Sequence, residues 1–457
     1  MLSRNHIGIA AAILGCFALW TSCGKPNDAT FNEDIAPILY KHCVSCHRPD
    51  GAAPFSLMTY KEAWKKKKTI LKVTKSGYMP PWPADPAYSH FLGEKFLNEE
   101  EKSIIEDWVS GGAKEGPTNA LPMPPQFPGS SLLGKPDLTL TADSFFIPGD
   151  NRDRFLLMKL PFQLDSDTFI RAIEFIPGKN GLVHHMNGHL LMYQEDQKKD
   201  VFKGRRVMNI ETDPYEAYVK LFESMMFYND DGSIPRRIHS AVNYLPGVEA
   251  QMYPEGIGGF RVFRKGAIVA NDIHYGPQPK GVWDQSKVNI FFASKPPERE
   301  VAEIMLGTNG VSPIVPPLKI PPNKISTFRT EYNVPADISI LTINPHLHLL
   351  GSNFLAYALK PTGDTIRLIS IPKWDFRWQY FYTYPSMLPI PAGSRIVVEA
   401  TFDNTAENPF NPNHPPDWVS ERLERGGAGM RTTDEMLQFI ISYTPYKAGD
   451  ENVSLKR

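Results

Sequence analysis

Cysteine is scarce in this chain, and its placement limits what can hold the fold together. Of the four cysteines among 457 residues, Cys16 and Cys23 lie near the amino terminus, so the rest of the protein contains only Cys43 and Cys46. The second of these is followed directly by His47. No other pair remains for a structural disulfide, and stability is therefore expected from core burial and bound metals instead of cross-links.

Cys43, Cys46 and His47 have the Cys-x-x-Cys-His spacing at which haem is attached covalently. Two thiols add to the two vinyl groups of the haem, and the adjacent histidine is then placed under the iron as the proximal ligand. We predict one haem c held by these three residues. Since methionine is the usual sixth ligand of a c-type electron carrier, Met79 in a Met-Pro-Pro loop is the expected distal ligand, with Met58 as the alternative.

The residues around this motif have a helical pattern. Asn98 is predicted to cap the last helix, Glu101 to complete a capping box, and Gly111 to end the helix. The order of an entry helix, the haem motif, a Met-Pro-Pro loop and a capped final helix resembles the class I cytochrome c fold. The resemblance covers residues 31–112 and implies a small α-helical haem domain there.

The first residues are typical of an export signal. Arg4 precedes an apolar run, and small residues stand ahead of Cys23. The run is interrupted and is shorter than a membrane-spanning helix requires. Residues 1–23 resemble a bacterial lipoprotein signal, which implies a lipid anchor at Cys23, with plain secretion as the alternative. We expect an exported protein, in the periplasm or at the outer membrane of a bacterium.

Length and proline content indicate the organisation of the remainder. A single core stops growing near about 300 residues, so several domains are expected. The 42 prolines favour loops and β-rich structure over long helices. A Pro-rich linker is predicted at 113–134, and a second proline cluster divides the following region into 135–312 and 313–457. The formal net charge of -1 gives no attraction for nucleic acid or an anionic membrane.

From about residue 135 onward, short alternating or apolar runs separated by Gly, Pro and Asn predict β-strands. The runs are LTLTADSFFI, FIRAIEFI, LVHHMNGHLLMY and KVNIFFA, then ISTFRTEYNV, ISILTI, FLAYALK, RIVVEATF and MLQFIISY. The predicted fold is therefore mainly β, with two β-sandwich (jelly-roll-like) domains after the small helical one.

Two pairs of histidines lie within this region. His346 and His348 are two positions apart on a predicted strand, so they share a face and make a natural bidentate metal site. His184 and His185 are adjacent, and strand alternation puts them on opposite faces unless the strand bulges or the two use different ring nitrogens. Taken alone, either pair is more often a pair of buried or surface histidines without a metal.

Four short motifs stand in order along the predicted strands. They are Val183-His184-His185-Met186, Ile273-His274-Tyr275-Gly276, His346-Leu347-His348 and Thr433-Asp434-Glu435-Met436. Their order and separations resemble the copper type II, ascorbate-dependent monooxygenases, the family of peptidylglycine α-hydroxylating and dopamine β-monooxygenases, over about residues 135–445. The resemblance implies two copper ions. His184, His185 and His274 would bind the first, and His346, His348 and Met436 would bind the second, catalytic ion.

The ligand types suit this chemistry. Three imidazoles suit a copper that cycles between two oxidation states, whereas a thioether favours Cu(I). The resemblance implies a monooxygenase that hydroxylates a small organic substrate with O2. In the peptide-processing member the peptide is contacted from positions that hold Asn344, Gln438 and Ile440 here. Losing a charged partner would cost a buried peptide carboxylate about 1.5 to 3 kcal/mol, so a glycine-extended peptide is not the expected substrate.

Monooxygenation consumes two electrons. We expect a periplasmic donor to deliver them through the haem to the His184 copper and then to the His346 copper. The alternative function is a non-catalytic electron-transfer or copper-binding lipoprotein that keeps the same scaffold. A haem peroxidase would need an open sixth position on the iron, and Met79 argues against one.

Overall fold

The computed structural model describes residues 28–49, 51–127, 131–179, 181–209, 220, 223–421 and 433–456. The predicted export signal, with its lipid attachment point Cys23, lies outside them. The described part of the chain is mainly β, as the sequence predicts, and it is built from several antiparallel sheets. None of its helices is long and apolar enough to cross a membrane.

The main helices lie between residues 31 and 110. They are a short helical segment Phe31–Ile35, α1 (Ala36–His42), α2 (Tyr60–Lys75) and α3 (Glu99–Ser110). The Asn98 side chain accepts a hydrogen bond from Glu101 N and the Glu101 side chain accepts one from Asn98 N, so the predicted capping box is confirmed. Ile105 and Trp108 of α3 pack with Leu39 in a hydrophobic cluster that is separate from the core of the sheets.

A first set of strands follows the predicted linker, in which Thr118–Ala120 forms a 3-10 turn. The strands are β1 (Leu138–Thr141), β2 (Phe145–Ile147), β3 (Arg154–Gln163), β4 (Thr168–Ile176), β5 (Val183–Tyr193), β6 (Val207–Asn209), β7 (Arg236–Tyr244), β8 (Phe260–Val262), β9 (Lys265–Tyr275), β10 (Val282–Asp284) and β11 (Lys287–Phe292). A five-stranded sheet has the order β6-β3-β9-β5-β7, and a four-stranded sheet has the order β1-β11-β4-β8. Strands β2 and β10 form a pair of their own.

A second set of strands completes the chain. The strands are β12 (Ala302–Gly307), β13 (Ile314–Val315), β14 (Lys319–Ile320), β15 (Ile325–Asn333), β16 (Ile338–Leu347), β17 (Gly351–Leu359), β18 (Thr365–Ile371), β19 (Tyr382–Ile390), β20 (Arg395–Asp403), β21 (Val419–Ser420) and β22 (Leu437–Pro445). The sheet orders are β12-β22-β16-β19 and β13-β15-β20-β17-β18, with β14 paired to β21. Every run predicted as a strand from the sequence falls on one of these strands, or on two in the case of LTLTADSFFI.

The second set begins earlier in the chain than the sequence indicates. The boundary predicted at residues 312 and 313 rests on a proline cluster, but β12 lies before that cluster and pairs with β22 along its whole length. Prolines mark loops and strand ends, and they do not determine which strands pair. The second set therefore starts at Ala302. Buried residues of both sets form one continuous hydrophobic cluster.

Glu303, on β12, joins the two sets of strands. Its carboxylate accepts hydrogen bonds from the backbone N–H groups of His239 (2.7 Å) and Ser240 (3.1 Å), which both lie on β7. Burial raises the pKa of Glu303 to about 7, and the two backbone donors offset this only in part. The folded protein therefore favours the protonated carboxyl group more than the unfolded chain does.

This carboxyl group predicts a pH-dependent stability. A folded pKa above the ordinary value of 4.5 contributes stability that is present below pH 4.5 and is lost as the pH rises through about 7. We expect this loss to be about 1 to 3 kcal/mol. Urea unfolding of the wild-type protein and of Glu303→Gln across this pH range measures this loss. It is the difference between the two proteins in the slope of the free energy of unfolding against pH. The exposed Glu407→Gln serves as control, and equal slopes for wild type and Glu303→Gln would contradict the assignment.

Candidate functional site

The Cys-x-x-Cys-His motif lies in the turn that follows α1. The His47 imidazole contacts the Phe55 ring at 4.6 Å between centroids, with the two planes tilted by 43°, and its Nδ1 lies 3.0 Å from the Phe55 carbonyl oxygen. Burial lowers the pKa of His47, and the backbone hydrogen bond raises it in part. In the neutral ring Nδ1–H donates to this carbonyl, which puts the lone pair on Nε2. A metal-ligating histidine is oriented in the same way.

Both thiols of the motif are free. Burial raises the pKa of Cys43 to about 12, with smaller contributions from the neighbouring Cys46 and Glu101. Cys46 Sγ donates to the Pro246 carbonyl oxygen at 3.2 Å. Gly247 follows, and a Cβ at that position would lie 2.2 Å from Cys46 Sγ. The motif is therefore packed directly against the loop after β7.

The loop that contains Met79 also rests on the sheets. Tyr380 donates its hydroxyl to the Pro81 carbonyl oxygen at 2.6 Å, and the Trp82 ring contacts the Tyr380 ring at 5.2 Å. A cavity of about 550 Å³ opens at this junction, and its lining includes Ser45 and Trp82. The Trp82 indole nitrogen is buried and has no hydrogen-bond partner within the described part of the chain. This cavity therefore adjoins both segments in which haem ligands are predicted.

The first histidine cluster is built where β5 pairs with β9. The register of the two strands shifts between Val183 and His185, so β5 has the irregularity that two adjacent histidines need in order to face one site. The imidazole of His274 lies 4.7 Å from that of His184 and 5.1 Å from that of His185, measured between ring centroids. Both histidines of β5 therefore lie beside His274, but only the potential ligand atoms of His184 and His274, together with those of Asp153, come within 4.8 Å of one another, and His185 is not part of that group.

Gly276 and Asp153 complete this cluster. A Cβ at Gly276 would lie 2.6 Å from His184 Nε2, so the glycine leaves room for that imidazole. Asp153 Oδ1 lies 2.7 Å from His274 Nε2, and this hydrogen bond lowers the pKa of Asp153. Potential ligand atoms of Asp153, His184 and His274 all lie within 4.8 Å of one another. Asp153 belongs to none of the four motifs, and no sequence signal identified it.

The electrostatics of the first cluster favour a neutral imidazole at His184. Partial burial lowers the pKa of His184 to about 4, and the charges that His274 and His185 would carry add to this effect. Neutral imidazole is the form that binds a metal, because a protonated ring nitrogen has no lone pair to offer. The cluster is therefore suited to binding a cation such as copper or zinc.

The second histidine pair lies at the end of β16. The rings of His346 and His348 are 5.0 Å apart and nearly perpendicular. His346 Nδ1 lies 2.5 Å from Gln379 Oε1, and His348 Nδ1 lies 2.8 Å from the backbone oxygen of Asp434. Both partners are acceptors, so each Nδ1–H donates and each lone pair lies on Nε2. Both rings thus have the tautomer that a metal site at Nε2 requires.

Met436 comes to the same face of the sheet through strand pairing. In the register of β16 with β22, His346 is opposite Gln438 and Leu347 is opposite Leu437. Residues two apart on a strand share a face, as do directly opposed residues of neighbouring strands. Continuing the register by one step places Met436 opposite His348. The side chain of Met436 is buried.

Glu435, for which no role was predicted from its sequence motif, fixes this arrangement. Its side chain accepts hydrogen bonds from the backbone N–H groups of His348 (3.0 Å), Leu350 (2.6 Å) and Met436 (3.2 Å). Burial raises the pKa of Glu435 to about 8, and these three donors lower it in part. One buried carboxyl group thus ties the segment that carries His348 to the segment that carries Met436.

The two histidine clusters approach each other across one side chain. The Phe376 ring lies 5.4 Å from the His185 ring and 5.7 Å from the His348 ring. His189 and His239 belong to neither cluster, and His189 Nδ1 lies 2.7 Å from the backbone oxygen of His239. His414 lies on the loop between β20 and β21. Within the described part of the chain, two separate histidine clusters therefore contact one phenylalanine ring.

Comparison with known proteins adds no assignment. No family model and no curated protein matches the sequence. Among solved structures, the infectious bursal disease virus Gx strain structure has 10% identity over 69% of this chain and 74% of that chain, with a TM-score of 0.18. The Gt strain structure of the same virus has 11% identity over 68% and 77%, with a TM-score of 0.15. Scores this low carry no argument about fold or function.

Proposed function

We propose that the protein is an exported copper-dependent monooxygenase that hydroxylates a small organic substrate with O2. The observation that carries the proposal is that two histidine clusters, one of three imidazoles and one of two, contact the same ring, that of Phe376. The segment that carries Met436 is tied to the second cluster through Glu435. Each group is assembled from motifs that lie far apart in the sequence. In this proposal the two sets of strands are the two β-sandwich copper domains.

His184, His185 and His274 would hold the first copper. Their contribution is an all-nitrogen ligand set, and copper there would supply one-electron transfer between its two oxidation states. Asp153 supports this role, because its carboxylate lies within hydrogen-bond distance of His274 and would partly balance the charge of a bound cation. Gly276 holds space for the His184 ring.

His346, His348 and Met436 would hold the second copper. The thioether of Met436 is a soft ligand and favours the reduced ion, the state that reacts with O2. Gln379 and the backbone of Asp434 orient the two rings through Nδ1, and Glu435 holds both segments in register. Such outer partners are what fix ring orientation in metal sites.

The predicted haem c is consistent with the environment of its motif. The Phe55 carbonyl orients His47, and the adjoining cavity of about 550 Å³ together with the unpartnered indole N–H of Trp82 provides space and a donor beside the motif. Haem c would supply one-electron transfer from a periplasmic donor, with Met79 as the distal ligand. In this proposal residues 31–112 are the cytochrome c-like domain, and a lipid anchor at Cys23 would attach the protein to a bacterial membrane.

The surroundings of the second histidine pair support a substrate other than a peptide carboxylate. Asn344 donates its side-chain N–H to the backbone oxygen of Tyr380 at 3.0 Å. Gln438 donates to the backbone oxygen of Thr308 at 2.8 Å. Both side chains are therefore engaged by the fold itself, and neither brings the positive charge that a buried carboxylate would need.

Metal content tests the proposal. Protein expressed in the periplasm is expected to contain one haem and about two coppers per chain. Met436→Ala should weaken only the second copper and leave the first copper and the haem in place. Met387→Ala, at a buried methionine outside both clusters, is the matched control. Haem without copper in the wild-type protein would contradict the proposal and leave the non-catalytic electron-transfer reading.

A further inference from the structure

Phe376 lies in the loop between β18 and β19 and contacts both histidine clusters. Its ring meets His185 at an interplanar angle of 89° and His348 at 85°, so both contacts are edge-to-face. This is a favoured arrangement for aromatic rings. The side chain is 9% exposed, so the ring that contacts both clusters lies in the protein interior.

The loop that presents Phe376 is fixed on both sides. Trp374 N donates to the Ser352 carbonyl oxygen at 2.9 Å before the phenylalanine, and Asn344 donates to the Tyr380 carbonyl oxygen after it. Gln379 uses both ends of its amide, since its nitrogen donates to the Phe376 carbonyl oxygen at 3.0 Å and its oxygen accepts from His346. The backbone of Phe376 is therefore linked to His346 through the side chain of Gln379.

We propose that Phe376 is the positioning residue that sets the separation of the two histidine clusters. The inference rests on the proposed function, because the clusters need a defined spacing only if both hold metal. A single ring in contact with His185 and His348 makes the position of each cluster depend on the other. Interiors are close-packed, so removing a ring between two groups lets them shift or lets water enter.

Arg377, the residue after Phe376, connects the same loop with the helical region. The Arg377 guanidinium donates to the Tyr78 hydroxyl at 3.1 Å, and Tyr78 directly precedes Met79. Arg377 is also held by the carboxylate of Asp375. The loop thus contacts the first cluster, the second cluster and the Met79 loop within a few residues. Phe376 is the member that faces both clusters.

Copper spectroscopy on the full-length protein tests this role. Wild type, Phe376→Leu and Phe376→Ala are loaded with Cu(II), their copper content is measured, and frozen-solution electron paramagnetic resonance spectra are recorded. Two Cu(II) ions held across one phenyl ring should show dipolar broadening. We expect both variants to bind two coppers and to show a dipolar broadening that differs from that of the wild-type protein. Phe402→Leu is the control, since Phe402 is fully buried and packs against Phe328 away from the histidines.

The outcomes separate the inference from the proposed function. A change in broadening at full copper occupancy, in Phe376→Leu alone if Phe376→Ala does not fold, supports the role of Phe376. Identical broadening in the wild-type protein and the Phe376 variants at two coppers per chain overturns the inference and leaves the proposed function intact. Fewer than two coppers in the wild-type protein overturns the proposed function itself.

Discussion

Glu435→Ala is expected to lower the free energy of unfolding by about 3 to 5 kcal/mol and to abolish copper binding at the second histidine pair. The substitution leaves the backbone N–H groups of His348, Leu350 and Met436 without their acceptor. A buried donor left unsatisfied costs about 1 to 3 kcal/mol. The same three bonds hold together the segments of His348 and Met436, so metal binding and stability should fall together. Urea unfolding and copper analysis measure the two effects.

Two further variants define the cause. Glu435→Gln keeps the shape of the side chain, but its amide presents an N–H group to backbone donors on one side. It should therefore lower the free energy of unfolding less than Glu435→Ala does and still weaken copper binding at the second histidine pair. Glu407→Ala removes an exposed carboxylate from the same set of strands and should change neither property. If Glu435→Ala retained the wild-type unfolding midpoint and copper content, the carboxyl group would not have the organising role that its hydrogen bonds indicate.

The elements of the fold were predictable because each depends on local sequence. The capping box of α3 requires only Asn98 and Glu101 at the correct spacing, and the strand runs carry their own alternation. The limit between the two sets of strands was not predictable in this way. It depends on the pairing of Ala302–Gly307 with a strand more than a hundred residues later, and a proline cluster contains no information about that pairing.

In the candidate site, too, some residues were predictable from the sequence and others depend on the tertiary fold. The histidines were assigned as ligands because four short motifs resemble those of a known family. A bulge in β5, or the use of different ring nitrogens, was the stated condition for His184 and His185 to share a site. The structure has a register shift there. Asp153, Phe376, Gln379 and the carboxyl group of Glu435 act through contacts made by the tertiary fold. Single-sequence periodicity has no means of indicating such contacts.

Cys43→Ala/Cys46→Ala is expected to abolish covalent haem attachment and, with it, turnover driven by the periplasmic electron donor. Both thioether bonds require these thiols, and the sequence contains no other cysteine beyond Cys16 and Cys23. Absorption spectra and haem staining of the denatured protein measure the covalent haem. Substrate hydroxylation with the same donor for both proteins measures the loss. Copper content should stay at the wild-type level, because neither cysteine belongs to a histidine cluster.

A control substitution distinguishes the effect of losing the haem from the effect of disturbed packing. Cys46 lies against Pro246 and Gly247, so its removal could also loosen the contact between the helical region and the sheets. Gly247→Ala disturbs that contact while leaving both thiols in place, since its Cβ would meet Cys46 Sγ. If electron delivery depends on the haem, the cysteine variant loses turnover with copper retained, whereas Gly247→Ala keeps its haem and a measurable part of its activity. Full turnover in the haem-free protein with the same donor would show that electrons reach the copper sites without the haem.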